Sequence, residues 1–172
     1  MALLTVLTFP HPVLKHKAET IEVFDHDLEK LSENMLATMY DSEGIGLAAN
    51  QVGILKRIVV VDIFSGDEDK SNRDPHVFVN PRIIERSGEI LTEEGCLSVI
   101  DFTAEVKRSQ KIVLEYQDVK GNSHCIEAED LKAICIQHEI DHLDGILFID
   151  HLSPLKQSIV KKKLTKLAKK SA

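Results

Sequence analysis

No apolar run in this 172-residue chain approaches the roughly 20 residues a bilayer-crossing helix needs, so a helical membrane span is excluded. The opening MALLTVLTFPHP lacks a basic region followed by an apolar core, and no secretion signal is expected. Tryptophan is absent and aromatics make up only 5% of residues, yet 43% are apolar and 28% charged, the balance of a soluble globular chain. Cysteine is scarce: Cys96, Cys125 and Cys135 are odd in number and widely spaced. In a reducing compartment they read as a ligand and buried thiols rather than a disulfide framework. Repeats and low-complexity linkers are missing too, so residues 1–172 are expected to form one domain of ordinary size, long enough for a proper core.

Acid is missing from one end. From Leu155 onward there are seven lysines and no carboxylate, so the rest of the chain carries 14 basic against 28 acidic residues beneath an overall charge of −7. An acidic body argues against a general or sequence-specific nucleic-acid binder, whereas the basic tail alone has the charge to dock a polyanion.

Leu3 to Pro10 is extended in character, and Pro10 and Pro12 break any early helix. Leu28, Leu31, Met35, Leu36 and Met39 form the apolar stripe of a helix over Asp25 to Asp41. The glycine-punctuated GIGLAANQVG (44–53) follows, and then Arg57 to Ile63, a β-branched run that predicts a buried strand. Phe64 to Pro75 is charged and expected to be a flexible loop. Short strands fit His76 to Asn80, Arg82 to Arg86, Lys111 to Gln117 and Ser123 to Glu127, the last two joined by a Lys-Gly-Asn turn. A final helix starts at Pro154, with Leu155, Ile159, Leu164 and Leu167 expected inward and the lysines outward. The fold class expected is α+β: antiparallel or mixed sheets around a central motif-bearing helix, with further helices at the N- and C-terminal ends.

That motif is HEIDH (138–142), within LKAICIQHEIDHLDG. His138 and His142 are four residues apart and share a helix face, and Glu139 is placed where its carboxylate can reach a water held by the same ion. Leu131, Ile134 and Cys135 continue the helical recurrence, Asp130 or Glu129 is available as a cap, and Gly145 marks the stop. Two histidines need a third protein ligand with one position left open. Cys135 qualifies by periodicity, Cys96 by its place in EEGCLS, and periodicity does not choose between them. His11, His16, His26, His76, His124 and His151 lack ligand spacing and read as surface or structural residues. GIGLAA also matches a dinucleotide-binding fingerprint with Asp62 beyond it, but that reading needs a strand before the first glycine, where the periodicity is helical.

Three segments together, GIGLAANQ (44–51), EGCLS (94–98) and QHEIDH (137–142), resemble the signature motifs of the peptide deformylase family in its order and at similar separations. The resemblance runs over nearly the whole chain. It implies a metal-dependent hydrolase that removes the formyl group from the N-terminal formylmethionine of nascent polypeptides, releasing formate. Cys96, His138 and His142 would hold the ion, Fe²⁺ by resemblance, with Zn²⁺, Ni²⁺ or Co²⁺ able to substitute. Glu139 would be the general base, and the Gln51 amide and Leu97 backbone N–H would stabilise the oxyanion. The Gly46 backbone would meet the substrate main chain. Ile45, Leu97, Leu131, Ile134 and Cys135 would wall the methionine pocket, and Glu94 would pair with Arg108 beneath the site. The last helix would dock near a ribosomal exit tunnel, and the lack of a transit segment favours a bacterial cytoplasmic setting. Two positions depart from the family: Ile100 and Thr103 stand where a proline and an arginine are usual. The rival readings are a general HExxH metallopeptidase and a non-catalytic structural metal module with four protein ligands.

Overall fold

The computed structural model describes residues 2–171. Strand β2 (Ile58–Val61) lies between two helices, which explains its unbroken β-branched sequence. Successive side chains of a strand point to opposite faces. Ile58 and Val60 accordingly join Leu28, Met35 and Met39 of α1 (His26–Asp41), while Val59 and Val61 join Ala133, Ile136 and Ile140 of α2 (Asp130–Leu143). All four β2 residues are fully buried.

The strand belongs to a five-stranded sheet that also contains β1 (Gly46–Ala48), β3 (His76–Ser87), β6 (Lys111–Gln117) and β7 (Ser123–Glu129), in the order β1-β2-β3-β6-β7 with every adjacent pair antiparallel. A separate antiparallel hairpin is formed by β4 (Ile90–Cys96) and β5 (Val99–Arg108). With α3 (Pro154–Ser171) the described elements make an α+β fold of three α-helices and antiparallel sheets.

The ends of α1 and α2 follow from single residues. The Asp25 carboxylate accepts the Leu28 N–H at the α1 N-terminus. Beyond α2, Gly145 has φ +75°, and a Cβ there would lie 2.5 Å from the Lys15 carbonyl oxygen, so no other residue fits this turn.

Several expectations need correction. The strands expected on either side of Pro81 are one strand, β3, with register shifts between Val79 and Arg82 and between Ile83 and Glu85. The ladder irregularity accommodates a residue without an N–H. Asn80, at φ +49°, then bonds Ile21 through both amide atoms and Gln117 through Nδ2. The β4–β5 hairpin has no counterpart among the expected strands, because its buried face carries Glu94, Val106 and Arg108 rather than an apolar alternation. On α3 the inward residues are Val160 and Leu164, packed with Leu14, Val99, Val106 and Phe148, whereas Leu155, Ile159 and Leu167 are exposed. The charged 64–75 segment is bonded at its two ends: Asp62, which also accepts the Tyr40 hydroxyl (2.6 Å), accepts the Phe64 N–H (2.9 Å) and the Asp74 N–H (3.1 Å). Arg73 lies 3.9 Å above the Tyr40 ring.

Candidate metal centre

Helix α2 is buried almost all round, so its polar residues need partners inside the protein. Gln137 bonds the Ser109 main chain through both ends of its amide. His138 presents Nδ1 to Glu94 Oε1 at 2.9 Å, which leaves Nε2 for the cavity side. One turn on, His142 Nε2 lies 3.3 Å from the Cys96 sulfur. One ligand atom from each of Cys96, His138 and His142 falls within 4.8 Å of the other two, and no other such group occurs among the described residues. Cys135 points elsewhere, its sulfur 3.6 Å from the Ile45 carbonyl oxygen, and burial pushes its thiol well above the usual range.

The donor set, one sulfur and two imidazoles, fits a borderline-soft divalent ion. It falls one ligand short of a closed tetrahedral site. Beside it Glu139 has a buried Oε2 with no partner, and its Oε1 is 3.9 Å from His138 Nε2. Burial is the largest influence on this carboxyl and, against the pull of His138, raises it to about 7. A carboxylate poised near neutrality can both take and return a proton.

The Cys96 sulfur is carried by the hairpin, and the hairpin is anchored by an arginine. Arg108 donates Nε to Glu94 Oε2 and Nη2 to Glu94 Oε1, both at 2.8 Å, with the two side chains almost fully buried. Its Nη1 reaches Asp141 at 2.6 Å, so one guanidinium joins β5, β4 and α2. Burial alone would raise the Glu94 carboxyl, but its bonds to Arg108 and His138 outweigh that and hold it down to about 2. Glu94 is thus a charged acceptor fixing the His138 ring, with Cys96 two residues further along the same strand.

A cavity of about 410 Å³ opens over this group. Its lining includes Ile45, Gly46, Gln51, Glu94, Cys96, Leu97, Leu131, Ile134, Cys135, His138 and Glu139, so these sequence-selected residues meet in one place. Leu131 is half-exposed at the rim, while Ile134 and Cys135 are buried walls. Gly46 is required by packing: a Cβ there would lie 2.8 Å from the Cys135 sulfur and 3.0 Å from Glu139 Oε1. It opens the edge strand β1, and a helix, not a strand, precedes it, which removes the dinucleotide reading. Thr103, at one departing position, donates to Glu93 Oε1 at 2.8 Å beside the cavity mouth, and Ile100 is exposed. Two polar residues were not foreseen as functional: Asp141, which completes the Arg108 shell, and Ser98, which meets Gln51 at 3.1 Å.

An HExxH helix met by a cysteine sulfur from an upstream hairpin, beside a buried carboxyl in an apolar cleft, is the arrangement of a metal-dependent hydrolase. Comparison with known proteins carries this class to a family. The family model described as polypeptide deformylase matches residues 3–158, and the chain belongs to that family. A peptide deformylase of Rhizobium meliloti is 46% identical over 170 residues, covering 98% of this chain and 96% of the relative. That of Thermodesulfovibrio yellowstonii is 50% identical over 163 residues, covering 95% and 97%. The crystal structure of a peptide deformylase from Legionella pneumophila superposes with a TM-score of 0.89 at 40% identity, covering 99% of this chain and 98% of that one.

Proposed function

We propose that this chain hydrolyses the formamide of an N-terminal formylmethionine on nascent polypeptides, releasing formate and a free amine. The observation that carries the reading is the meeting of Cys96, His138 and His142 beside a partnerless Glu139 oxygen, within a chain of the deformylase family. Cys96, His138 and His142 would hold Fe²⁺, with Zn²⁺, Ni²⁺ or Co²⁺ able to take its place, since the S/N/N donor set disfavours harder ions. The bound ion supplies Lewis acidity, lowering the pKa of water toward about 7 and polarising the formyl carbonyl.

The chain's own groups do the rest. Glu139 accepts the proton of the attacking water and returns it to the departing amine nitrogen. The Gln51 side-chain amide and the Leu97 backbone N–H donate to the oxygen that gains charge, and each such donor is worth about 3 kcal/mol of barrier. Strand β1 lies at a sheet edge, so a substrate main chain can add beside Gly46 as a further strand. The methionine side chain then enters the wall formed by Ile45, Leu97, Leu131, Ile134 and Cys135. Formyl-Met-Ala should yield formate, while acetyl-Met-Ala and internal peptide bonds stay intact. Cleavage of internal bonds would replace the deformylase reading with a metallopeptidase.

The exposed lysines of α3 fit docking to ribosomal RNA near the emerging substrate, and the bacterial relatives fit action in a bacterial cytoplasm. Truncating α3 is a poor test, because Val160 and Leu164 belong to a core cluster. Lys163, Lys166 and Lys170 are exposed, and changing all three to glutamate should weaken salt-sensitive co-sedimentation with ribosomes while leaving formyl-Met-Ala hydrolysis intact. Equal co-sedimentation would remove the docking role.

A further inference from the structure

Ser98 lies two residues beyond Cys96, is fully buried, and has its N–H, its carbonyl and its hydroxyl oxygen bonded around the site. Its backbone N–H points at the Cys96 sulfur (3.4 Å), and its carbonyl accepts the Phe9 N–H (2.7 Å). Its hydroxyl oxygen accepts from Gln51 Nε2 (3.1 Å). At the other end of the same amide, Gln51 Oε1 accepts the Ala48 N–H (2.9 Å), which decides which end of the group is nitrogen. The Gln51 backbone is held as well, its carbonyl accepting the Leu7 N–H at 2.7 Å.

An amide nitrogen carries two hydrogens in a fixed plane. With one directed at Ser98 Oγ, the other is donated to the Cys96 sulfur 3.6 Å away, a long contact on the side where the ligand atoms converge, from which it can turn to an incoming oxygen. We propose that Ser98 is a positioning residue for the hydrolysis: its hydroxyl takes one Gln51 Nε2 hydrogen so that the second is presented to the formyl oxygen as it gains charge. The inference rests on the deformylase reading of Gln51 given above. An alanine at 98 would fill nearly the same space and keep the N–H to the sulfur. It would leave the terminal torsion, broad for this side chain, held only by the Ala48 N–H at Oε1 and the long contact to the Cys96 sulfur, and so less sharply set. Since Ser98 need not touch substrate, the loss belongs to the chemical step and not to ground-state binding.

The test is steady-state hydrolysis of formyl-Met-Ala by metal-loaded Ser98→Ala, Gln51→Ala and the double variant, with absorption spectra of the Co²⁺-loaded forms. The expected result is a roughly 10-fold lower kcat for Ser98→Ala with KM unchanged, and no further loss from it in the Gln51→Ala background. Its Co²⁺ spectrum should match that of the unaltered protein. Multiplicative losses in the double variant, a loss confined to KM, or a changed Co²⁺ spectrum would overturn the proposal. An unaltered Ser98→Ala beside a weakened Gln51→Ala overturns this inference alone. An unaltered Gln51→Ala overturns the role assigned to Gln51 and the inference with it. Should Ser98→Ala not fold, hydrogen exchange of the Gln51 side-chain amide in the unaltered Zn²⁺-loaded protein decides: one protected and one fast hydrogen supports the proposal, and two equal rates overturn it.

Discussion

Glu139 shows how burial assigns chemistry to an individual side chain. Glu139 has one oxygen without a partner and a pKa lifted by burial to about 7. Glu139→Gln keeps the shape and loses the base, so it should retain one ion per chain while kcat falls by at least about 100-fold, measured by metal analysis and formate release on one sample. Cys96→Ala should instead lose the ion itself. Cys135→Ala should keep it, because that sulfur faces the Ile45 carbonyl and is not among the converging ligand atoms. The histidine pair and its carboxylate were legible from spacing within a single helix. The choice between the two cysteines was not, because the Cys96–His142 contact joins residues 46 apart in sequence and no local period encodes it. Resemblance to a family supplied Cys96, whose sulfur lies 3.3 Å from His142 Nε2. Ser98 and Asp141 stayed hidden because a buried serine or aspartate looks like a surface one until its partners are known.

At the scale of elements, sequence reading succeeded wherever one apolar face met one layer. Helix α1, β2 and the β6–β7 hairpin follow from periodicity and a turn glycine, Gly121 at φ +88°. It failed where polar groups do the packing, above all in β4–β5, whose buried residues include an arginine–glutamate pair. Helix α3 was placed correctly but rotated, since its lysine-rich face and its apolar stripe overlap. Val160 and Leu164 face inward, and Asp150 meets Lys15 at 2.9 Å and Lys161 of α3 at 3.2 Å and accepts the Leu147 N–H of the short turn before the helix. Burial by itself would raise the Asp150 carboxyl, but the Leu147 N–H and the lysines outweigh it and hold it below its ordinary value of 3.8. A depressed carboxyl stabilises the fold fully above that ordinary value, and the contribution is lost as pH falls through the lowered one. Asp150→Asn should therefore lower Tm at neutral pH, with the gap to the unaltered protein closing in acid below 3.8. A gap that stays constant down to pH 2 would show that the ion pairs at Asp150 contribute nothing.

Across the whole molecule, the five-stranded sheet takes α1 on one face and α2 on the other, and the β4–β5 hairpin brings sulfur to the helix that carries nitrogen. Arg108 ties these parts by pairing with Glu94 on β4 and Asp141 on α2. The chemistry of the site depends on what surrounds the ion. X-ray absorption at the metal edge of the anaerobically Fe²⁺-loaded protein measures it directly. We predict one sulfur scatterer at about 2.3 Å together with two imidazoles, and complete loss of the sulfur signal in Cys96→Ser. Two sulfur scatterers, or a sulfur signal that survives in Cys96→Ser, would contradict the ligand set.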